Sequence, residues 1–290
     1  MLRRFLRHRM AVIGVLLMTL IVLYVTVGSL FYSEAYANET NIRNRLGAPS
    51  ADNLFGTDEA GRDVLARTIY GGQISIMIAV TSVAISIGMG TLIGLVSGYF
   101  GGIVDAILMR VVEALLAIPV LILLLVLSRT LQEQTGVATV SFFGRELSAT
   151  VLYIVLIIGL TGWMGLSRIV RSLVLSLKEQ EFVMAARMIG ASDARIIFGH
   201  ILPNTIAPVV VAATLGIGSA ILVEAALSFL GFGVMPPTAT WGNIITRARQ
   251  DIDSLWWLWV FPGGLITLTV LAINFIGDGL RDALDPRSLK

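Results

Sequence analysis

Six long apolar runs restrict what this chain can become. Residues 11–31, 74–98, 147–167 and 255–277 contain no Asp, Glu, Lys or Arg, and residues 205–233 contain only Glu224. The remaining run, 103–128, holds Asp105, Arg110 and Glu113 near its start and Pro119 within it. A helix crosses the hydrocarbon of a bilayer with about 20 apolar residues, and lipid offers its backbone no water to bond. The runs therefore read as spanning helices, too long for barrel strands of roughly ten residues. The expected fold is an all-α membrane protein of six transmembrane helices. Composition agrees: 56% of the 290 residues are hydrophobic and 14% are charged, against about 45–50% and 25% in soluble domains.

Net charge is only +2, from 21 basic and 19 acidic residues. No basic field points to nucleic acid, and the absence of cysteine excludes a disulfide scaffold. With the N-terminus inside, 13 Lys and Arg fall on the cytoplasmic side and eight on the outer side. That bias favours both termini in the cytoplasm. The division is then a cytoplasmic N-terminus at 1–10, a first span at 11–31, an outer segment at 32–73, a core at 74–277 and a cytoplasmic tail at 278–290. Ala35-Tyr36-Ala37 mimics a signal-peptidase site, but the first run is longer than a 7–15-residue signal core. It reads as an uncleaved span.

The outer segment is expected to end in an interfacial helix that leads into the second span. Thr57 is placed to cap its start, with Asp58 and Glu59 at the positive end of its dipole. In the second span Ser82, Ser86, Gly90, Gly94 and Gly98 recur every four residues. Such a stripe lets two helix backbones approach closely, against a helix of this chain or of another. Trp256, Trp257 and Trp259 open the last run and read as a membrane-boundary anchor ahead of its span. No fixed-period repeat of the kind found in secondary carriers is visible.

The largest inner loop spans Arg168 to Asn204. Lys178 to Gly190 has helical periodicity, with Phe182, Ala185, Ala186 and Ile189 as its apolar set. Gly190 is the expected stop and Ser192 the expected cap of a second short helix from Asp193 to His200. That second helix is expected to be exposed, with Ile196, Ile197 and Ile201 as its apolar set and Pro203 closing the unit. On these residues alone, a folded-back structural loop and a docking element fit equally.

Ala185-Ala186-x₃-Gly190 followed by Leu202-Pro203 resembles the "EAA" cytoplasmic loop of ABC importer permeases. Met184 stands where that pattern has Glu, and His200 where it has Ile. Both departures occur in the peptide-importer branch, whose loops often read as His200 to Asn204 does here. Three further blocks match that branch: Phe55 to Arg67, Ser97 to Gly102 with Asp105, and Glu224 to Pro237 with Trp241 and Gly242. The chain thus resembles the second, C-type, permease subunit of dipeptide, oligopeptide and nickel ABC importers.

That resemblance implies half of a translocation path in the bacterial inner membrane. It implies a homologous second permease, two cytoplasmic ATPase subunits and an extracytoplasmic substrate-binding protein as partners. The coupling helix would be about Ser192–Gly199, and the ATPase-coupling residues Ala185, Ala186, Gly190, Ser192, Asp193, Arg195, Ile196, Ile197, Leu202 and Pro203. This chain has no G-x₄-G-K-[ST] loop. ATP and Mg would therefore be bound by the partner ATPases, with no cofactor, metal or catalytic residue in this chain.

Carboxylates inside a membrane are costly and mark candidate functional positions. Glu113 lies near the inner end of the third run, with Arg110 one turn away as an ion-pair partner. Glu224 falls near the outer end of the fifth, where it would line a gate or cavity or cap the Leu230–Pro237 turn. Two such carboxylates leave open a self-sufficient carrier or channel. An enzyme is disfavoured, since the two histidines, His8 and His200, sit in no HExxH and no GxSxG occurs. Nickel chelates and glutathione-like molecules remain alternative substrates to peptides.

Overall fold

The computed structural model describes residues 2–135, 138–142 and 145–284. Arg287 and Lys290, counted above in the cytoplasmic tail, lie outside the described residues. Its long helices are α1 (Arg9–Phe31), α2 (Val64–Phe100), α3 (Gly102–Leu116), α4 (Val120–Thr135) and α5 (Ala149–Leu177). The short α6 (Glu181–Met188) and α7 (Asp193–Ile196) follow, then α8 (Leu202–Phe229), α9 (Trp241–Ile245) and α10 (Trp257–Leu284). Five helices are long and apolar enough to span a bilayer, and the bent pair α3–α4 makes a sixth if it counts as one span. A two-stranded antiparallel hairpin, β1 (Thr139–Phe142) and β2 (Arg145–Ser148), joins α4 to α5, with Thr139 opposite Ser148.

The seam between α2 and α5 is built on the small-residue stripe. A Cβ placed on Gly94 would lie 2.6 Å from the Val170 Cβ and 2.7 Å from the Ser167 carbonyl oxygen. On Gly98 it would meet the Val174 Cβ at 2.7 Å, and on Gly90 the Trp163 carbonyl oxygen at 2.9 Å. The stripe therefore packs against a helix of its own chain and is not free for another subunit. Ser86 adds a hydrogen bond from its hydroxyl to the Gly159 carbonyl at 2.9 Å.

The interfacial helix expected ahead of the second span does not exist as a separate element. α2 runs unbroken for 37 residues, about 55 Å at 1.5 Å per residue, longer than a bilayer core of about 30 Å. Asp63, not Thr57, caps it, accepting from the Ala66 N–H at 2.8 Å. Thr57 instead bridges to Asp63 as paired backbone, while its hydroxyl donates to the Asn44 carbonyl and accepts from the Gly47 N–H. Asp58 closes its own loop, accepting from the Ala60 and Arg62 N–H groups and from the Arg62 guanidinium at 2.7 Å. It is thus committed to the loop rather than to the α2 dipole. The tryptophan cluster also divides: Trp256 and Trp259 are part-exposed, but Trp257 is buried and its indole donates to the Thr57 carbonyl.

The third run is not one straight helix. Pro119 supplies no N–H and disfavours helical backbone at Ile118, and α3 and α4 meet there at 83°. The largest core cluster joins α1, α2, α4, α5, α8 and α10 around Ile78, Leu124, Ile154 and Ile221, and includes Trp241 of α9.

Adding a side chain in the seam tests its geometry. Gly94→Leu should cost about 1–3 kcal/mol by overpacking, read as a lower melting temperature of the detergent-solubilised protein. Gly88→Leu, on the same helix with nothing within 4 Å, should leave it nearly unchanged. Equal melting of the two variants would show that the seam is not tight.

Candidate functional site

At the end of α2 that carries Phe100, the chain builds a rigid turn. α5 ends at Leu177, α6 begins after Gln180, and Gly190 turns the backbone with φ at 79°. Few residues other than glycine adopt that conformation cheaply. The Ser192 hydroxyl then accepts from the Arg195 N–H and starts α7. α7 passes through one wide turn, Ile197–Ile201, straight into α8. Pro203 does not close the unit. It sits in the first turn of α8, and the wide turn before it absorbs the proline's missing donor and bulky ring. Asp193 to Phe229 is effectively one helical rod of 37 residues.

The apolar faces differ from those expected. In α6 the buried residues are Val183 and Ala186, while Ala185 and Phe182 are exposed. Ile196, Ile197 and Ile201 do not project outward. They are buried with Val170 and Val174 of α5 and with Leu95 and Tyr99 of α2. Carboxylates at 196 and 197 would therefore break this chain's own core, and would not report on a partner. The outward apolar set is Met188 (83% exposed), Ile189 (86%) and Phe198 (60%), flanked by Met184. Arg195, Asp193 and Ser192 are exposed beside it, Leu202 is half-buried and Pro203 exposed.

Polar ties hold this turn to the spans. The Tyr99 hydroxyl donates to the Asp193 carboxylate at 2.5 Å, and the Arg187 guanidinium lies 5.9 Å from the centre of the Tyr99 ring. Asp105, one turn into α3, accepts two hydrogen bonds at 2.5 Å from Arg171 of α5, and another from the Ser97 hydroxyl of α2. Three helices thus share one carboxylate. Reading the sequence alone missed Tyr99, Arg171, Met188 and Phe198, and placed Ile189 in the apolar set of the first helix, where it is exposed instead. Tyr99 lies inside the Ser97–Gly102 block and Asp105 three residues beyond it, the signal that could have flagged these ties.

The two candidate membrane carboxylates part company. Glu113 is 62% exposed at its side chain and pairs with Arg110 of the same helix at 3.6 Å. Glu224 is fully buried. It accepts from Ser75 of α2 at 3.1 Å and from Ser228, one turn along α8, at 2.8 Å. Ser75 also accepts from the Trp241 N–H at 3.2 Å. Glu224 therefore pins α2, α8 and the start of α9 together. Its contacts run to these hydroxyls rather than to the backbone of the Leu230–Pro237 turn. Elsewhere, a cavity of about 290 Å³ opens between α2, α4, α5 and α8, with Ser86, Thr161, Gly162, Gly216 and Ser219 on its wall. No charged residue lines it.

Comparison with known proteins agrees with this architecture. Residues 1–49 match the N-terminal transmembrane domain of oligopeptide transport permease C. A peptide permease protein of Brucella suis biovar 1 is 45% identical over 287 residues, covering 98% of this chain and 89% of its own. A dipeptide transport system permease of Alkalihalophilus pseudofirmus is 41% identical over 282 residues, covering 97% and 87%. A peptide transport system permease of Brucella abortus biovar 1 is 42% identical over 287 residues, covering 98% and 90%. Residues 90–290, which contain α3 to α10 and the rigid turn, match the binding-protein-dependent transport system inner membrane component, and the chain belongs to that family of multi-pass permeases.

Proposed function

We propose that the chain is one permease subunit of an ATP-driven peptide importer, working with a homologous second permease, two cytoplasmic ATPases and an outer binding protein. Peptide is the substrate class named for the relatives above. ATP and Mg belong to the ATPase subunits. Both termini and the Gly190 turn face the cytoplasm. The observation that carries this reading is the rigid turn itself. Its inner side is locked to α2 and α5, while Met188, Ile189 and Phe198 stand uncovered on its outer side. Exposed apolar side chains on an ordered helix end mark a protein contact. Methionines suit one that must re-pack as the motor opens and closes. Because α7 continues into α8, displacement of the turn moves a spanning helix directly. Ala185, Ala186, Gly190, Ser192, Asp193, Arg195, Ile196, Ile197, Leu202 and Pro203 then divide into those that shape the turn and those that rim the contact. The uncharged cavity beside α8 offers a peptide passage without an ionic trap.

Changing Met188 and Ile189 together to Asp leaves the buried side of the turn intact. It should weaken ATPase docking at least about tenfold, since carboxylates would have to be desolvated in the contact. Peptide uptake and peptide-stimulated ATP hydrolysis should fall together while membrane insertion persists. Normal uptake by this variant would remove the turn from the mechanism.

The purified chain alone, reconstituted in liposomes, should neither hydrolyse ATP nor accumulate peptide. Adding the second permease, the ATPases and the binding protein should restore both. Accumulation by the lone chain under a proton gradient would establish a secondary carrier instead.

Glu224 acts in this reading as a structural pin rather than a path-lining charge. Glu224→Leu strands two buried hydroxyls at about 1–3 kcal/mol each, so complex yield should drop. Glu224→Gln keeps an acceptor and a donor in place and should preserve both yield and uptake. Preserved yield with lost uptake in the Gln variant would assign Glu224 to the transport path.

A further inference from the structure

A buried cluster of charge stands just ahead of α2, and neither the Gly190 turn nor the Glu224 pin uses it. Asp58 and Arg67 are buried, and the Arg62 side chain is only 12% exposed. One carboxylate serves both guanidiniums: Asp58 Oδ2 lies 2.7 Å from Arg62 Nε and 3.5 Å from Arg67 Nε. The other Asp58 oxygen accepts from the Ala60 and Arg62 N–H groups. Asp63, close by in sequence, accepts from the Ala66 N–H and the Asn53 amide. Arg67 also donates to Asn38 at 3.2 Å. Arg62 is held to Asp58 through Nε and its backbone N–H alone. Among the described residues, its two Nη groups meet no acceptor. Charged donors this far from bulk water are costly unless something accepts from them.

Asp58, Arg62 and Arg67 line one side of a cavity of about 240 Å³. The Arg62 Nη groups are not sealed into packed protein, so they can reach that space. The opposite wall is the Ser228 end of α8 with Val234, Met235 and Ile244. Its polar side chains are already engaged. The Ser228 hydroxyl donates to Glu224, the Thr246 hydroxyl to the Ser228 carbonyl, and the Asn243 amide to the Val234 and Thr238 carbonyls. The cavity thus combines apolar walls with an unused guanidinium fork. Such a fork matches the two oxygens of a carboxylate. The volume falls below the roughly 300–1,000 Å³ that encloses a drug-sized ligand. It suits the end of a chain rather than a protein surface. Val234 belongs to the same core cluster as Leu124 and Ala220, which line the uncharged cavity beside α8. The two cavities therefore border one cluster.

We propose that this cavity receives the terminal carboxylate of a peptide, with the Arg62 Nη groups as its donors and Val234, Met235 and Ile244 around the last side chain. This deepens the peptide-permease reading above and rests on it. Every peptide ends in that group whatever its sequence, so the contact is indifferent to side chains. The uncharged cavity supplies no cation to a carboxylate, and the Arg62 cavity does. On the inside-out assignment of the termini it lies at the outer face, where peptide arrives.

The test uses the assembled complex without its binding protein, so that recognition by that protein does not enter. Met235 is exposed and lines the cavity, and this chain has no cysteine. Met235→Cys therefore gives one labelling site here for a water-soluble maleimide. Trialanine should slow the labelling in a saturable way, and its C-terminal amide should not. Adding Arg62→Gln should raise the trialanine concentration needed about tenfold or more, the size of one charge-assisted hydrogen bond. If Arg62→Gln does not assemble, Arg62→Lys keeps a cation beside Asp58 but lacks the fork, and should weaken protection likewise. Equal effects of trialanine and its amide would overturn the proposal. So would protection that persists undiminished in the Arg62 variants, or acetate protecting at the same concentration as trialanine, which would mark a site for any small anion. If the wild-type complex with its binding protein imports no peptide, the peptide-permease reading fails instead.

Discussion

The close approach of α2 to α5 is the contact on which the remaining architecture depends. Backbone meets backbone because Gly90, Gly94 and Gly98 contribute no side chain at the crossing. In lipid there is little hydrophobic gain from bringing two helices together, so the association draws on dispersion and on carbonyls approached at short range. At one end of this seam Leu95, Tyr99, Val170 and Val174 form the floor on which the Gly190 turn rests. Further along, Ser75 of α2 reaches Glu224 and Trp241. Widening the seam by a side chain would displace the floor of the turn and the Glu224 pin together.

On that base α8 behaves as a rod with a fixed handle at each end. One end is the turn itself, reached through α7 and the wide turn before Pro203. The other end is held where Ser228 donates to Glu224 and where the Thr246 hydroxyl donates to the Ser228 carbonyl at 2.9 Å. The uncharged cavity lies along the middle of this rod, bounded by Gly216 and Ser219. The turn and the cavity wall are therefore parts of one continuous rod. Neither handle depends on a long-range charge, so the linkage is mechanical: packed side chains, one buried carboxylate and the Asp105–Arg171 pair.

Much of this was legible before any coordinates, for identifiable reasons. The spans follow from length and the absence of charge, which is a strong constraint in lipid. Gly190 and Ser192 were readable because a left-handed turn and a helix start each admit few residue types. What failed was facing. Ile196 and Ile197 were expected outward and are core, because the partner covering them is α5, whose position relative to the loop no local pattern encodes. Thr57 was expected as a cap since it precedes acidic residues, but Asp63 sits nearer the helix and a carboxylate serves there too. Met188 escaped notice and Ile189 was expected on the helix's packed face, because apolar residues in an apolar chain carry no contrast. The family resemblance supplied the importer and its partner set, which the residue patterns alone left level with a structural loop.

That lack of contrast is general to chains like this one, and backbone geometry resolves it. α1 exposes Leu16, Leu20 and Leu30, and α4 exposes Ile122 and Val126, all on apolar faces of similar composition. Hydropathy assigns both to lipid. α1, however, is an unbroken helix whose interior donors and acceptors are all paired within it, and it asks nothing more of its surroundings. The α3–α4 elbow interrupts that ladder at Pro119, and beside it α3 carries the exposed Arg110–Glu113 pair. The distinction between a surface that suits lipid and one that needs protein or enclosed water thus lies in unpaired polar groups, not in how apolar the side chains are.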